Sequence, residues 1–122
     1  MNIKRFEEIE AWQHAKELAI EIYRLTNQGA LAGDSTLRNQ MRRAGVSAAG
    51  NIAEGFGRRT PGEFTQFLGV ANGSVLEVQS HLWIARGARL VTPEQFDASY
   101  EKARVVSRLV GGFIHYLRSL RR

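Results

Sequence analysis

The sequence predicts an all-α protein, an antiparallel up-down-up-down four-helix bundle in a single domain over residues 1–122. Apolar residues recur three and four positions apart in four segments, which is the spacing of one helix face, and the alternation typical of strands is absent. Glycine, proline or capping residues separate these segments. We expect helices at about 6–27, 36–56, 61–87 and 93–120. Because the connections are short, consecutive helices should run antiparallel.

The first segment has an apolar side and a charged side. Phe6 and Trp12 belong to the apolar side, whereas Glu10 and Glu17 lie on the opposite one. The stretch "NQGALAGDS" then interrupts the helix and offers Ser35 as the N-cap of the next one.

The second segment is rich in alanine and glycine, with Gly45 and Gly50 in its interior. An interior glycine costs a helix about 1 kcal/mol relative to alanine. We therefore expect both glycines to mark the close approach of another helix.

The stretch "NIAEGFGRRTPGEF", residues 51–64, is predicted to form the corner between the second and third helices. Gly55 or Gly57 would take the left-handed conformation that ends a helix. Residues 60–63, Thr-Pro-Gly-Glu, have the pattern of a capping box with proline at the first helical position. Residues 92–95, Thr-Pro-Glu-Gln, repeat this signal at the start of the fourth helix.

The fourth helix carries a second apolar row beside its core side. This is more apolar width than one four-helix core requires, so the row is a candidate subunit interface. Its members are Val106, Leu109, Phe113, Tyr116 and Leu120.

The charge is basic and unevenly distributed. Seventeen lysines and arginines against twelve acids give a formal charge of +5, and fourteen of the seventeen are arginine. The planar guanidinium suits phosphate or a partner's carboxylates. Acids gather in the first helix and arginines in the middle and at the end of the chain. This asymmetry predicts an anionic partner such as nucleic acid, although a solvated face or salt bridges between subunits would give the same pattern.

The residue types favour a non-enzymatic protein without cofactor or metal. The chain has no cysteine, which excludes a thiol nucleophile and thiolate metal sites. The glycine pair of the corner follows a helix and lacks the lysine or third glycine of phosphate-binding loops. Glu10 with His14, and Glu77 with His81, are four residues apart rather than the three of di-iron bundles.

Two further features remain open at this level. Arg58 and Arg59 precede a helix N-terminus, where anions bind favourably, but Arg58 is also four residues after Glu54, the spacing of a helical ion pair. Trp12 and Trp83 are expected to anchor the core or an interface rather than to stack on bases.

The sequence also predicts a cytoplasmic location without a membrane contact. No apolar stretch approaches the roughly 20 residues that span a bilayer. Acidic residues follow the basic N-terminus "MNIKRFEEIEAW" where a signal peptide would need an apolar run.

Three stretches of the sequence resemble those of a known protein family. "EAWQHAKELAIEIYRLT", "RRAGVSAAGNIAEGFGRR" and "EFTQFL" resemble the four-helix bundle proteins encoded within 23S rRNA intervening sequences, sometimes called S23 ribosomal proteins. Their relatives include the accessory variability proteins of diversity-generating retroelements. The similarity covers nearly the whole chain. One departure is the stretch Ala49-Gly50, where family members often carry a proline that would kink the helix.

The resemblance implies a ring-like homo-oligomer, most simply a homopentamer, with no catalytic residue to carry over. It also implies binding of RNA, of a reverse transcriptase or of another RNA–protein complex through basic surfaces. The family motif maps onto residues that we expect to be chiefly structural. Besides three of the arginines named below, these are Asn51, Glu54, Gly55, Glu63, Phe64, Phe67, Leu68, Ser74 and Glu77.

Two functions are therefore in competition. The first is an oligomeric accessory protein that binds structured RNA without strong sequence preference, and the alternative is an assembly or protein-interaction module that binds no nucleic acid. The arginines predicted to contact nucleic acid are Arg38, Arg42, Arg43, Arg58, Arg59, Arg118, Arg121 and Arg122.

Overall fold

The computed structural model describes residues 2–120, and within that range it is helical without any strand. A 3-10 helix precedes five α-helices, four of them long, which confirms the predicted all-α class. The 3-10 helix is Phe6–Glu8, and the α-helices are α1 (Glu10–Thr26), α2 (Gly29–Ala32), α3 (Ser35–Phe56), α4 (Pro61–Gly87) and α5 (Pro93–Ser119).

The four long helices surround one apolar core. Both α1 and α4 pack against α3 and α5, so α1 and α4 lie across from each other. Each long helix contributes fully buried side chains, for example Leu18, Ile52, Leu68 and Val106. These residues belong to a single cluster of buried apolar side chains.

The interior glycines of α3 differ in their surroundings. A Cβ at Gly45 would lie 3.4 Å from the Cα of Ala19, so the predicted close approach of another helix is confirmed there. The same prediction is wrong for Gly50, because a Cβ at that position would have no neighbour within 4 Å.

The first long helix begins later than predicted, at Glu10 rather than near residue 6. Ile9 has an extended backbone (φ −74°, ψ 119°), and its side chain is only 1% exposed. The extended residue separates the 3-10 turn from α1 and lets the apolar side chain enter the core. The amide of Gln13 donates to the carbonyl of Glu7 at 2.8 Å, which fastens this turn to α1.

The connection between α1 and α3 contains the short helix α2, which the sequence did not predict. Gly29 has a positive φ of 56°, and Leu31 within the following turn is fully buried. The N-cap of α3 is Asp34 rather than the predicted Ser35, because the Asp34 carboxylate accepts a 3.0 Å hydrogen bond from the N–H of Leu37.

The corner between α3 and α4 differs from the prediction in how α3 ends. The expected left-handed glycine is absent at both candidate positions, since Gly57 has φ −76° and Gly55 lies inside the helix. A Cβ at Gly55 would lie 2.7 Å from Cβ of Phe67 and 2.8 Å from Cδ1 of Phe64. The absence of a side chain at Gly55 therefore serves packing against α4, not the termination of α3.

The two predicted capping boxes are realised to different degrees. At the start of α5 the box is complete, with Thr92 and Gln95 exchanging hydrogen bonds of 2.9 and 3.0 Å. At the start of α4, the Thr60 hydroxyl accepts from the N–H of Glu63 at 3.1 Å. The Glu63 carboxylate accepts from the N–H of Arg59 instead of that of Thr60, so only half of the box forms.

A residue other than glycine takes the left-handed conformation just beyond the end of α4. Arg89 has a positive φ of 59°. The N–H of Leu90 then donates to the carbonyl of Ala85 at 2.8 Å, which is the long hydrogen bond of a Schellman motif.

Candidate nucleic-acid interface

Arg42 is bound within the protein rather than presented to solvent. Its Nε donates to the hydroxyl of Thr26 and its terminal nitrogen to the side-chain oxygen of Asn27, each at 2.8 Å. Its guanidinium carbon lies 4.6 Å from the ring centroid of Tyr23. These contacts fasten α3 to the end of α1.

Arg38 and Arg58 also have partners in the chain. A terminal nitrogen of Arg38 donates to the carbonyl of Ala32 in α2. Arg58 pairs with Glu54 one turn earlier, and its guanidinium lies 4.6 Å from the ring centroid of Phe67. The helical ion pair that the sequence left open for Arg58 is therefore formed, and the anion contact stays a prediction.

Three other predicted contacts are exposed guanidinium groups, those of Arg43, Arg59 and Arg118. Within residues 2–120 none of their side chains donates to a protein acceptor. Arg121 and Arg122 lie outside the described residues.

The predicted arginines do not form one patch. Arg38 and Phe56 are 18 residues apart on α3, which corresponds to about 27 Å of helix. Arg38 and Arg42 therefore lie near the end of the molecule that contains α2. Arg58 and Arg59 lie at the opposite end, where α5 also ends and carries Arg118.

Several residues of the family motif join helices or lie in the core. The Ser74 hydroxyl donates to the Ser47 hydroxyl at 3.0 Å and so joins α4 to α3. The Asn51 amide donates to both oxygens of the same Ser47, at 2.9 and 3.0 Å. Phe64 and Leu68 are buried in the core.

The paired acids and histidines form no metal cluster in the described chain. Among residues 2–120, no three side chains of the ligand types His, Asp, Glu or Cys come together to hold a metal ion. Burial lowers the pKa of His81 below its ordinary value, and the Glu77 carboxylate opposes this effect. The Nδ1 atom of His81 is buried and has no hydrogen-bond partner among residues 2–120.

The structure exposes an apolar surface on α4 that the sequence did not indicate. Four large apolar side chains there are each more than half exposed: Val70 (55%), Leu76 (55%), Trp83 (54%) and Ile84 (55%). Between and beside them lie Gly69, Gly73 and Gly87, where a Cβ would meet no atom within 4 Å. We call these seven residues the α4 outer face.

The apolar row predicted on α5 is largely absorbed by the protomer. Val106 is fully buried, and Leu109 and Phe113 pack against the core. Tyr116 and Leu120 remain exposed, at 42% and 46%.

The sequence did not indicate the α4 outer face because polar and apolar residues are mixed around this helix, so no polar face separates the core side from an outer apolar side. Trp83 illustrates this: its ring lies 4.7 Å from that of Phe96 on α5, while more than half of it faces solvent. The glycines at an i, i+4 spacing on one helix face were the available signal.

A second exposed apolar surface lies on the opposite side of the protomer. Ile20 (38%), Tyr23 (44%) and Val46 (50%) are exposed, and α3 approaches α1 closely in this region through Gly45. We call these three residues the α1–α3 patch. Arg43 lies one turn before Val46 and therefore on the same face of α3.

The corner between α3 and α4 opens into a cleft of about 270 Å³, which we call the corner pocket. Phe64 and Leu117 form its buried base, at 4% and 1% exposure. Arg58 and Arg59 belong to its rim. The complete lining is Phe56, Arg58, Arg59, Thr60, Pro61, Phe64, Leu117 and Leu120.

No helix in the described range combines the length and apolarity needed to cross a membrane.

The architecture is that of an all-helical protein with four long helices, and comparisons with known proteins assign it to a family. The model of the family described as "23S rRNA-intervening sequence protein" matches residues 7–112. The chain therefore belongs to the 23S rRNA-intervening sequence protein family, as the resemblance predicted. This is not a known enzyme family.

A solved structure is similar to the protein over most of its length. It is the crystal structure of a protein with unknown function from the S23 ribosomal protein family of Bacteroides thetaiotaomicron. The TM-score is 0.78 at 20% identity, and the match covers 85% of this chain and 97% of the other. At this identity the likeness establishes the fold. None of the curated proteins matches the chain.

Proposed function

We propose that the protein is a non-enzymatic, single-domain, antiparallel up-down-up-down four-helix bundle that assembles into a ring-like homo-oligomer, most simply a pentamer, and binds structured RNA or an RNA–protein complex. The contacts support the antiparallel arrangement. Gly55 meets Phe64 close to the corner, whereas Ser47, two turns earlier on α3, meets Ser74 farther along α4. The same reversal joins α1 to α3 through Gly45 with Ala19 and Arg42 with Thr26.

The exposed apolar residues of the α4 outer face are the observation that best supports assembly into an oligomer. Four large apolar side chains are exposed on the same side of one helix, and exposed apolar surface of this kind marks protein–protein contacts. Tryptophan is also among the residues that dominate interface energies. Gly69 and Gly73 weaken an exposed helix for no benefit within the protomer, and they would allow a second helix to approach closely.

The α1–α3 patch is the surface that we assign to the other side of the contact. Because α1 and α4 lie across from each other, joining one face to the other repeats head to tail, and it gives the proposed ring when the rotation between neighbouring subunits closes. The charges complement each other. Glu77 is exposed one turn after Gly73, and Arg43 is exposed beside Val46 without an acceptor among residues 2–120.

RNA binding is supported by the arginines at the end of the molecule where α3 meets α4 and α5 ends. Arg59 and Arg118 are exposed there, and Arg121 and Arg122 follow in the sequence. In a ring these groups recur in every subunit. Five copies of a protomer of charge +5 carry about +25, which gives a long-range field that attracts phosphate.

The alternative, an assembly module that binds no nucleic acid, is favoured by a different observation. Arg38, Arg42 and Arg58 are engaged by Ala32, by Thr26 and Asn27, and by Glu54 within the protomer. These three arginines therefore serve contacts within the protomer, and fewer of the predicted arginines are left to bind phosphate.

The deciding experiment measures binding of a labelled RNA hairpin by fluorescence anisotropy over a salt series. Each neutralised phosphate contributes about 0.9 to the slope of log affinity against log salt on a duplex. We expect Arg59→Gln with Arg118→Gln to reduce the slope by about 2. A matched control is Arg24→Gln with Arg104→Gln, which removes two exposed arginines next to Glu21 and Glu101.

The outcomes separate the two functions. A steep slope that the first variant reduces and the control does not supports RNA binding at this end of the molecule. If the unmodified protein binds no RNA even at low salt, the assembly module becomes the function.

A further inference from the structure

We infer that the corner pocket receives one unpaired nucleobase of the bound RNA, such as a bulged or looped-out base. This inference rests on the proposed RNA binding and adds which part of the RNA is recognised. RNA-binding proteins commonly take up unstacked bases against aromatic rings and arginine planes, because paired bases in an A-form helix are inaccessible to side chains.

The size and lining of the pocket suit a single flat heterocycle. Its volume of about 270 Å³ falls just below the range of about 300–1,000 Å³ that is usual for ligand pockets, so it would admit a base rather than a whole dinucleotide. Phe64 and Leu117 give it a dry apolar base. Phe56 is half-buried, with its ring 6.2 Å from that of Phe64 at an angle of 75°, and Leu120 stands at the mouth with 46% exposure.

The rim offers a position for the phosphate next to such a base. Arg59 is exposed, and its guanidinium has no acceptor within the described chain. In the first turn of α4, Pro61 has no N–H, Glu63 donates to the Thr60 hydroxyl and Phe64 donates to the Thr60 carbonyl. The N–H of Gly62 is left without an acceptor among residues 2–120, at the helix end that favours anions.

Carboxylates close to Arg58 and Arg59 nearly balance the positive charge around the rim. Arg58 is paired with Glu54, and the Glu63 carboxylate lies on the N–H of Arg59. The preference for an unpaired base would therefore come from apolar stacking rather than from charge. It should persist at salt concentrations that weaken the overall affinity.

An apolar side chain of a protein partner is the competing occupant. The rim favours the nucleobase, because it presents the exposed guanidinium of Arg59 and the N–H of Gly62, which match a phosphate on the strand that carries the base. The pocket also lies at the same end of the molecule as the arginines proposed for RNA, so a base could enter it from an RNA bound there.

The experiment compares two loop-free RNA duplexes of equal charge, one fully paired and one with a single bulged 2-aminopurine. We expect the bulged duplex to bind about tenfold more tightly, with a ratio that changes little across the salt series, and the 2-aminopurine emission to change on binding. Phe56→Leu removes the aromatic ring and should bring the affinity ratio close to one. Leu120→Glu, at an exposed position that does not challenge folding, should do the same.

Each outcome decides the inference. Equal binding of the two duplexes would overturn it while leaving the proposed RNA binding intact. A ratio that both variants leave unchanged would place the base elsewhere and overturn it as well. If neither duplex binds the unmodified protein at low salt, the proposed function fails and this inference fails with it.

Discussion

Gly55 and Gly50 lie five residues apart on α3, but a side chain would meet very different surroundings at each. A Cβ at Gly55 would come within 2.7 Å of Phe67 and 2.8 Å of Phe64, whereas at Gly50 it would meet nothing within 4 Å. Phe64 is buried against the core, so it has little room to move away. Glycine is thus required at one position and replaceable at the other within the protomer.

We expect Gly55→Ala to lower the free energy of unfolding by about 1–3 kcal/mol, because the added methyl overpacks a filled contact between α3 and α4. Gly50→Ala is the matched control and should raise it by up to about 1 kcal/mol through helix propensity. Urea denaturation of the two variants measures both effects. Equal changes in the two would contradict this account of the α3–α4 contact.

His81 makes stability depend on pH. Its folded-state pKa is lowered by burial, so the unfolded state binds a proton more readily than the native state. The contribution is fully favourable above the ordinary value of about 6.5 and is lost as the pH falls below it. We expect His81→Gln to flatten the fall in thermal stability over this window, and His14→Gln, at an exposed position, to leave it unchanged. A retained slope in His81→Gln would assign the pH dependence to other groups.

At the scale of the helices, the residues that start α4 and α5 could be read from the sequence, because threonine followed by proline has a local cap geometry. The start of α1 and the turn of α2 could not, because they depend on whether Ile9 and Leu31 enter a core formed by distant residues. Just beyond α4, Arg89 takes a left-handed conformation without glycine, which local preference disfavours.

Only part of the candidate site could be predicted from the sequence, because it too depends on contacts between distant residues. Charge identified the arginines, but the availability of each depends on tertiary neighbours. Arg42 is occupied by Thr26 and Asn27 from another helix, a contact that no spacing along the chain reveals. The pairing of Arg58 with Glu54 is local, and its i, i+4 spacing did suggest it.

The glycines of the α4 outer face provide a prediction at this scale. We expect Gly73→Ala to make the isolated protomer slightly more stable, by up to about 1 kcal/mol, because the position is open and alanine favours helix. The same methyl should weaken assembly if another helix approaches closely there. Thermal unfolding and sedimentation at matched concentrations would show the two effects with opposite sign. A variant that assembles as well as the original protein would remove this glycine from the interface.

At the scale of the whole molecule, the two exposed apolar surfaces lie on opposite sides because α1 and α4 lie across the core from each other. Opposite faces that join each other generate a ring or a filament, whereas a face that joins its own copy stops at a dimer. The arrangement of the helices thereby restricts the forms that assembly can take.

A charge exchange tests this arrangement. We expect Glu77→Arg and Arg43→Glu each to reduce the mass of the oligomer, measured by light scattering after size-exclusion chromatography, since like charges would then face each other across the contact. Combining both changes should restore the mass. Glu94→Arg, at an exposed acid at the start of α5, is the control for a change of net charge. Failure of the double variant to recover would contradict the proposed pairing of these two residues.

The exposure of Trp83 gives the protein an internal optical reporter. The chain has two tryptophans, and Trp12 is half-buried with its ring 5.0 Å from that of Phe6, whereas more than half of Trp83 is in water. Indole emission moves to shorter wavelength when the ring loses contact with water. Replacing Trp12 by phenylalanine would therefore leave a single fluorophore whose colour changes with dilution if subunits separate, so that assembly could be followed in solution without attaching a label.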